Sequence, residues 1–197
     1  MTNKIQSAVL GDAGEHLVLS KLLLQGFIAG LAPTNTKDFD LIITSRDGKL
    51  SAPIQVKTTM REPHWRMDKK HEVMIENLIY CFVRINETDH DPEVFVIDAK
   101  TVAHVLKKSH QIWLKLPYVN VRKNSKDDAF KEKIDQPMRL LLTDYNKISG
   151  LKTIKNNLKK EDKDLSFYLS NSDIKFLEKY PEGWMNRFKN NWKILNR

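Results

Sequence analysis

Apolar residues recur along this chain with two periods, and the switch between them lays out the elements. Residues 7–25 carry Val9, Leu10, Leu17, Val18, Leu22, Leu23 and Leu24 at mixed three- and four-residue spacing, which predicts a helix stopped by Gln25-Gly26. The period then falls to two. Leu41-Ile42-Ile43 and Ile54-Gln55-Val56 flank Asp47-Gly48, a strong hairpin signal. With Asp47 and Gly48 at the centre of a type I′ turn, Arg46 faces Lys49 and paired residue numbers sum to 95. Asp40 then stands opposite Gln55, with Cβ atoms about 4.5–5.5 Å apart. Alternation puts Lys57 on the face of Gln55 and turns Ile54 and Val56 the other way, into a core. The same register sets Asp38 opposite Lys57, where the two would pair. Pro53 interrupts the ladder, because proline donates nothing to it.

Further on, residues 58–66 read as a strand end and a loop. Residues 72–85 hold a strand ending in Cys81-Phe82-Val83-Arg84-Ile85, and Glu93-Val94-Phe95-Val96-Ile97 is another. Residues 101–108 read as a helix with Val102, Val105 and Leu106 on its buried stripe. Residues 118–136 are polar and Lys-rich, a loop; an apolar run follows at 138–145. Leu151, Ile154 and Leu158 lie at helical spacing in the Lys-rich stretch 147–164. Residues 173–180 read as a helix capped by Ser172 and ended by Pro181. Near the C-terminus Trp184, Phe188 and Trp192 interleave with bases; aromatics facing a core, with bases outside, are favoured over stacking on nucleobases. The expected fold is α/β: a mixed central β-sheet flanked by helices, followed by a basic, mainly helical C-terminal extension.

Polar residues on the apolar sheet are where chemistry is expected. Magnesium takes oxygen ligands, usually one or two carboxylates with waters and phosphate oxygens. Asp40 offers a carboxylate, Gln55 an amide oxygen and Val56, between Gln55 and Lys57, a backbone carbonyl. Lys57 is a cation placed to steady an attacking water or charge building on phosphorus. Together they outline a phosphodiester-hydrolysing site that uses Mg²⁺ or Mn²⁺. Glu15 shares a helix face with Ala8, Gly11, Val18, Leu19 and Leu22, and an acid on such a face needs a partner. Gly11 costs about 1 kcal/mol of helix stability relative to Ala, a cost that close approach of another element or a ligand would justify. Thr58, Thr59 and Arg61, just beyond Lys57, are placed to hold phosphate oxygens.

These residues resemble the PD-(D/E)xK nuclease superfamily, in particular its resolvase-like, restriction-endonuclease-like branch. The matching motifs are Gly11-Asp12-Ala13-Gly14-Glu15, Asp38-Phe39-Asp40-Leu41-Ile42-Ile43 and Ile54-Gln55-Val56-Lys57, in the order helix, strand, turn, strand. They cover residues 7–60. The resemblance implies that Asp40 binds metal, that Gln55 takes the place of the second acid, that Lys57 is the catalytic lysine, and that Glu15 joins the metal site. Two departures stand out: Asp38-Phe39 precedes Asp40 where a proline is commonest, and Gln55 removes one negative charge. By this resemblance residues 1–117 form a nuclease-like core and residues 118–197 a basic extension packing on it. The implied activity is metal-dependent cleavage of DNA, as an endo- or exodeoxyribonuclease. The alternative is a non-catalytic DNA-binding or protein-interaction module of the same fold, and an RNA nuclease is a third reading.

Charge sharpens the choice of partner. Residues 1–106 carry a net −2 and residues 107–197 a net +10, within a total of +8. The site lies in the acidic part, as a cation site should. The basic part, with the Arg122-Lys123 and Lys159-Lys160 clusters, is suited to a phosphate backbone, although lysines also simply solubilise helices. A nucleic acid is therefore the expected partner, DNA before RNA, with no membrane partner and with a homodimer left open. The 41% apolar content supports a sizeable core. No run approaches the roughly 18 apolar residues of a membrane span, and no signal-peptide pattern opens the chain. Cys81, the only cysteine, rules out an intrachain disulfide, and a cytoplasmic location is expected. The six histidines show no zinc-type spacing with cysteine.

Overall fold

The computed structural model describes residues 6–60, 64–86, 92–115, 140–143, 166, 168–181 and 183–196. Helix α1 spans Ser7–Leu24, α2 Ala99–Lys115 and α3 Asn171–Lys179. Strands are β1 (Ile28–Leu31), β2 (Leu41–Thr44), β3 (Ser51–Met60), β4 (His64–Met67), β5 (Ile79–Ile85), β6 (Glu93–Asp98) and β7 (Leu140–Thr143). Five of them make a mixed sheet in the order β1-β2-β3-β5-β6, and β4 pairs with β7 in a separate two-stranded sheet. All neighbours are antiparallel except β3 and β5, which run parallel from Ile54↔Ile79 to Met60↔Ile85. The fold is therefore α/β, a mixed central sheet flanked by helices. Among the described residues no helix is long and apolar enough to cross a membrane.

Helix α1 stops as its sequence dictates. Gly26 adopts φ 87°, its N–H bonds Leu23 O at 2.9 Å, and the N–H of Phe27 bonds Leu22 O at 3.2 Å. This is a glycine-terminated cap that satisfies carbonyls the helix leaves free. The chain then reverses into β1.

The β2–β3 register is the one the sequence predicts: Leu41 pairs with Ile54, Ile43 with Ala52 and Thr44 with Ser51. The turn differs. Gly48 N bonds Ser45 O at 2.9 Å, which centres a turn on Arg46-Asp47, and only Gly48 has positive φ, at 70°. The Asp47 carboxylate accepts from the Ser45 hydroxyl at 2.6 Å and the Lys49 N–H at 3.2 Å. Those bonds favour an αR Asp47 over the left-handed one that a type I′ turn requires. The pairing survives because Ser45 N still bonds Leu50 O at 2.9 Å. That bond also explains Pro53: even-numbered residues of β3 direct their backbone groups at β2, so Pro53 directs its own away, and β5 pairs only from Ile54 onward.

Alternation gives each sheet face its own core. On one face Ile54, Val56, Cys81, Val83, Val94 and Val96 are buried beneath Val18 and Leu22 of α1, with Trp192, Ile194 and Leu195 completing the cluster. On the other, Tyr80, Phe82, Phe95 and Ile97 pack with Trp65, with Val102, Val105 and Leu106 of α2, and with Phe176, Tyr180, Trp184 and Met185. Helix α2 is longer than residues 101–108, and its predicted stripe is at most 2% exposed. Trp184, at 4%, and Trp192, at 8%, face the cores rather than solvent. The chain from 184 to 196 also meets the β6 edge, where Phe95 bridges Lys189 and Asn190 N bonds Val94 O at 2.8 Å. Helix α3 is capped by Ser170, not Ser172: Ser170 Oγ accepts from Asp173 N while the Asp173 carboxylate accepts from Ser170 N. Asp173 is the third residue of the helix, so a reciprocal box closes only with the residue three before it.

Candidate functional site

Asp40 sits one residue before β2, where the chain enters the sheet. Its N–H bonds Ile54 O at 2.8 Å and its C=O accepts from Ala32 N at 2.8 Å, so its backbone is held by strands on both sides. Its side chain is held as well. Asp40 Oδ2 accepts from the backbone N–H of Val56 at 2.6 Å and from the amide nitrogen of Gln55. The predicted pairing of Asp40 with Gln55 is thus made. Gln55 is 6% exposed, and its amide nitrogen also lies 3.4 Å from Val56 O. Three of the four proposed oxygen sources, Asp40, Gln55 and the Val56 carbonyl, therefore meet at one spot.

Lys57 follows on the same face, in register with Phe82 as Gln55 is with Tyr80. Among the described residues no carboxylate forms an ion pair with it. Burial pushes its pKa below the ordinary lysine value, opposed by the negative charges of Asp40, Asp68 and Glu15 and reinforced by Lys70. Glu15 reaches the same neighbourhood from α1. Its carboxyl is raised above the ordinary range by burial first, then by the negative charge of Asp40 and of Asp12. A cation nearby would oppose that shift by favouring the charged Glu15 carboxylate.

Several expectations are corrected here. Asp38 does not pair with Lys57. Its φ is 72°, which takes it out of the strand, and its carboxylate meets Lys70 Nζ at 3.1 Å. No other element approaches Gly11 closely, for a Cβ there would meet nothing within 4 Å. The point of close approach is Gly14. A Cβ on Gly14 would overlap the Thr58 hydroxyl and come 2.9 Å from Thr58 Cβ. Thr58 therefore wedges under α1, its hydroxyl sealed from water, so it is not placed to hold a phosphate. Thr59, at 9% exposure, is nearly as enclosed. Arg61, Arg122, Lys123, Lys159 and Lys160 lie outside the described residues, as does most of the basic stretch.

The sequence pattern did not single out a second ring of groups around the site. The 3-10 turn Lys69–Glu72 crosses beside Lys57. His71 is 5% exposed and its Nδ1 lies 2.8 Å from the Tyr80 hydroxyl. Burial first, then Lys57 and Lys70, lower its pKa to about 4, so the imidazole is neutral at physiological pH. Burial likewise lifts Tyr80 to about 12. Asp68-Lys69-Lys70-His71-Glu72 has no apolar period, so charge density is the one signal that could have marked it in the sequence.

Hard oxygen donors suit magnesium or manganese and not a soft metal. Among the described residues no three His, Cys, Asp or Glu side chains cluster as a metal site. The oxygens that meet are one carboxylate, one amide and one carbonyl, with the Glu15 carboxyl near enough to feel the Asp40 charge, and all are of the hard kind that Mg²⁺ takes. Rotating the Gln55 amide by a half-turn exchanges its nitrogen and oxygen, so the same side chain that donates to Asp40 can present oxygen to a cation.

No family model matches the sequence, and no curated protein matches it. Among solved structures it is similar to a bacterial homing endonuclease, I-Ssp6803I, at 12% identity and a TM-score of 0.38, over 50% of this chain and 70% of that one. A likeness of that size carries no weight for function, which rests on the site. Fold and site together define an α/β protein whose sheet presents an acid, an amide and a lysine on adjoining strands.

Proposed function

We propose that this chain is a divalent-metal-dependent nuclease of the PD-(D/E)xK type, with Gln55 in the place of the second acid, hydrolysing DNA phosphodiester bonds. The observation that carries it is the grip on Asp40 by Gln55 and the Val56 N–H, the two residues that immediately precede Lys57 on the same strand. Asp40, Gln55, the Val56 carbonyl and Glu15 would hold the cation. Bound there, Mg²⁺ or Mn²⁺ supplies Lewis acidity toward a phosphoryl oxygen and acidifies a bound water. The chain supplies orientation. Fixing Asp40 through two donors costs nothing at the moment of reaction. Lys57, partly dehydrated, acts on developing phosphoryl charge more strongly than a lysine in water would. The sheet excludes bulk solvent from beneath it.

The rival is a DNA-binding or protein-interaction module without catalysis, and Gln55 favours it by withholding one negative charge. The test is cleavage of duplex, nicked, branched and single-stranded DNA, with RNA alongside, under Mg²⁺ and under Mn²⁺. Lys57→Ala should lose about 10²- to 10³-fold in rate, the effect of removing one transition-state donor, while DNA binding persists. Asp40→Asn should fail in metal titration calorimetry as well as in cleavage. Wild-type cleavage in both variants, or none from the wild type with Mg²⁺ bound, leaves the module.

A further inference from the structure

The ion pair between Asp38 and Lys70 has no task in the site as described. Lys70 Nζ lies 3.1 Å from Asp38 Oδ1, and the side chains are 57% and 47% exposed. A pair in that much water contributes about 0–1 kcal/mol, so stability does not explain it. Its placement is more informative. Asp38 lies two residues before Asp40, and its left-handed backbone takes it off the strand. Lys70 stands on a turn that is closed around it by His71 N–H on Asp68 O at 3.0 Å and anchored just after it: His71 bonds the Tyr80 hydroxyl, and Glu72 Oε1 lies 2.8 Å from His110 Nδ1 on α2. An exposed lysine is thereby carried on a fixed base. The charge of Lys70 also reaches Lys57, so the two ammonium groups border one patch.

We propose that Lys70 is a second phosphate contact of this site, and that the Asp38 carboxylate occupies its ammonium until the DNA backbone displaces it. The proposal rests on the nuclease reading for the identity of the anion. A carboxylate and a phosphate oxygen are interchangeable acceptors for an ammonium, and a pair this exposed exchanges partners at little cost. Lys57 would then face the phosphate undergoing reaction and Lys70 a neighbouring one. Asp38 sets the threshold, because DNA must compete with it.

The two partners should therefore have opposite effects. Binding of a short DNA duplex is read by fluorescence anisotropy in EDTA, across a salt series, for wild type, Lys70→Gln, Lys70→Arg and Asp38→Asn. Lys70→Gln should weaken binding on every sequence alike and reduce the log–log salt slope by about 0.9, the share of one phosphate. Lys70→Arg should restore both. Asp38→Asn should tighten binding, because the competing carboxylate is gone. Thermal unfolding should be nearly unchanged in all three. If Lys70→Gln binds with wild-type affinity and slope, or Asp38→Asn weakens binding as much as Lys70→Gln does, the proposal is overturned even where wild type cleaves DNA. Lys70-dependent binding without cleavage in Mg²⁺ upholds the proposal and removes the catalytic reading. Wild type that neither binds nor cleaves overturns both.

Discussion

Gln55 shows how much one heavy atom decides. A glutamate there would match the commonest pattern of the family the motifs resemble, but it would face Asp40 with like charge across the hairpin. The amide instead donates to Asp40 and is almost wholly enclosed, at 6% exposure. The glutamine therefore stabilises the metal-free protein and, under the proposed function, does so at the expense of cation affinity. Gln55→Glu should reverse the trade. Without metal it should be less stable by about 1–3 kcal/mol, the cost of losing a hydrogen bond and burying an unsatisfied group. With saturating Mg²⁺ it should gain more melting temperature than wild type does, since stabilisation grows with ligand concentration over Kd. Thermal unfolding in EDTA and in Mg²⁺ checks both halves. An equal metal-induced gain in the two proteins would separate Gln55 from the cation.

At the level of elements, two glycines of α1 that look alike in sequence should behave oppositely. Gly11→Ala adds a methyl to open space and should stabilise the protein by about 1 kcal/mol through helix propensity. Gly14→Ala drives a methyl into Thr58 and should cost about 1–3 kcal/mol, as overpacking does. Thr58→Ala should recover part of that loss, since it removes the hydroxyl and methyl but leaves a Cβ 2.9 Å away, and chemical denaturation of the single and double variants measures it. The difference was not legible in the sequence, which assigned the close approach to Gly11 because only its i+4 relation to Glu15 was visible. What a glycine faces across a gap belongs to another strand. Legibility followed that division elsewhere too. The β2–β3 register could be read from Asp47-Gly48 and apolar alternation, and with it the meeting of Asp40 and Gln55. The partner of Asp38 could not, because extending a strand register ignores a residue at φ 72°. Nor could the turn carrying Lys70 and His71, whose placement is fixed by Tyr80 and by His110 on α2.

Across the whole molecule, Asp173 ties α3 to α2. It is fully buried, with Lys108 Nζ at 2.6 Å and Lys115 Nζ at 2.7 Å. Its ion pairs and hydrogen bonds outweigh burial and hold its carboxyl well below the ordinary range. A group whose folded pKa is depressed contributes stability above its unfolded pKa, and that contribution is lost as pH falls through the folded value. Stability should therefore decline from about pH 4 downward, and Asp173→Asn should flatten that limb in an acid titration of unfolding. Removing one partner of a buried pair costs about 3–5 kcal/mol when the other charge is trapped. Lys115 is 45% exposed and can turn to water, so the loss should sit at the low end. Cys81 offers a way to time such events. It lies in β5, between β3 and β6, with no solvent exposure and a thiol pushed up by burial. A thiol-specific reagent in native buffer therefore meets it only when α1 and the 192–195 segment lift from that face or the sheet itself parts. Because it is the sole cysteine, every labelled molecule records one opening of that core. Where reclosing outpaces labelling, the rate reports the free energy of opening. A labelling rate that rises with urea as steeply as global unfolding would make the sheet one cooperative unit; a flat dependence would reveal a local breach beside β5.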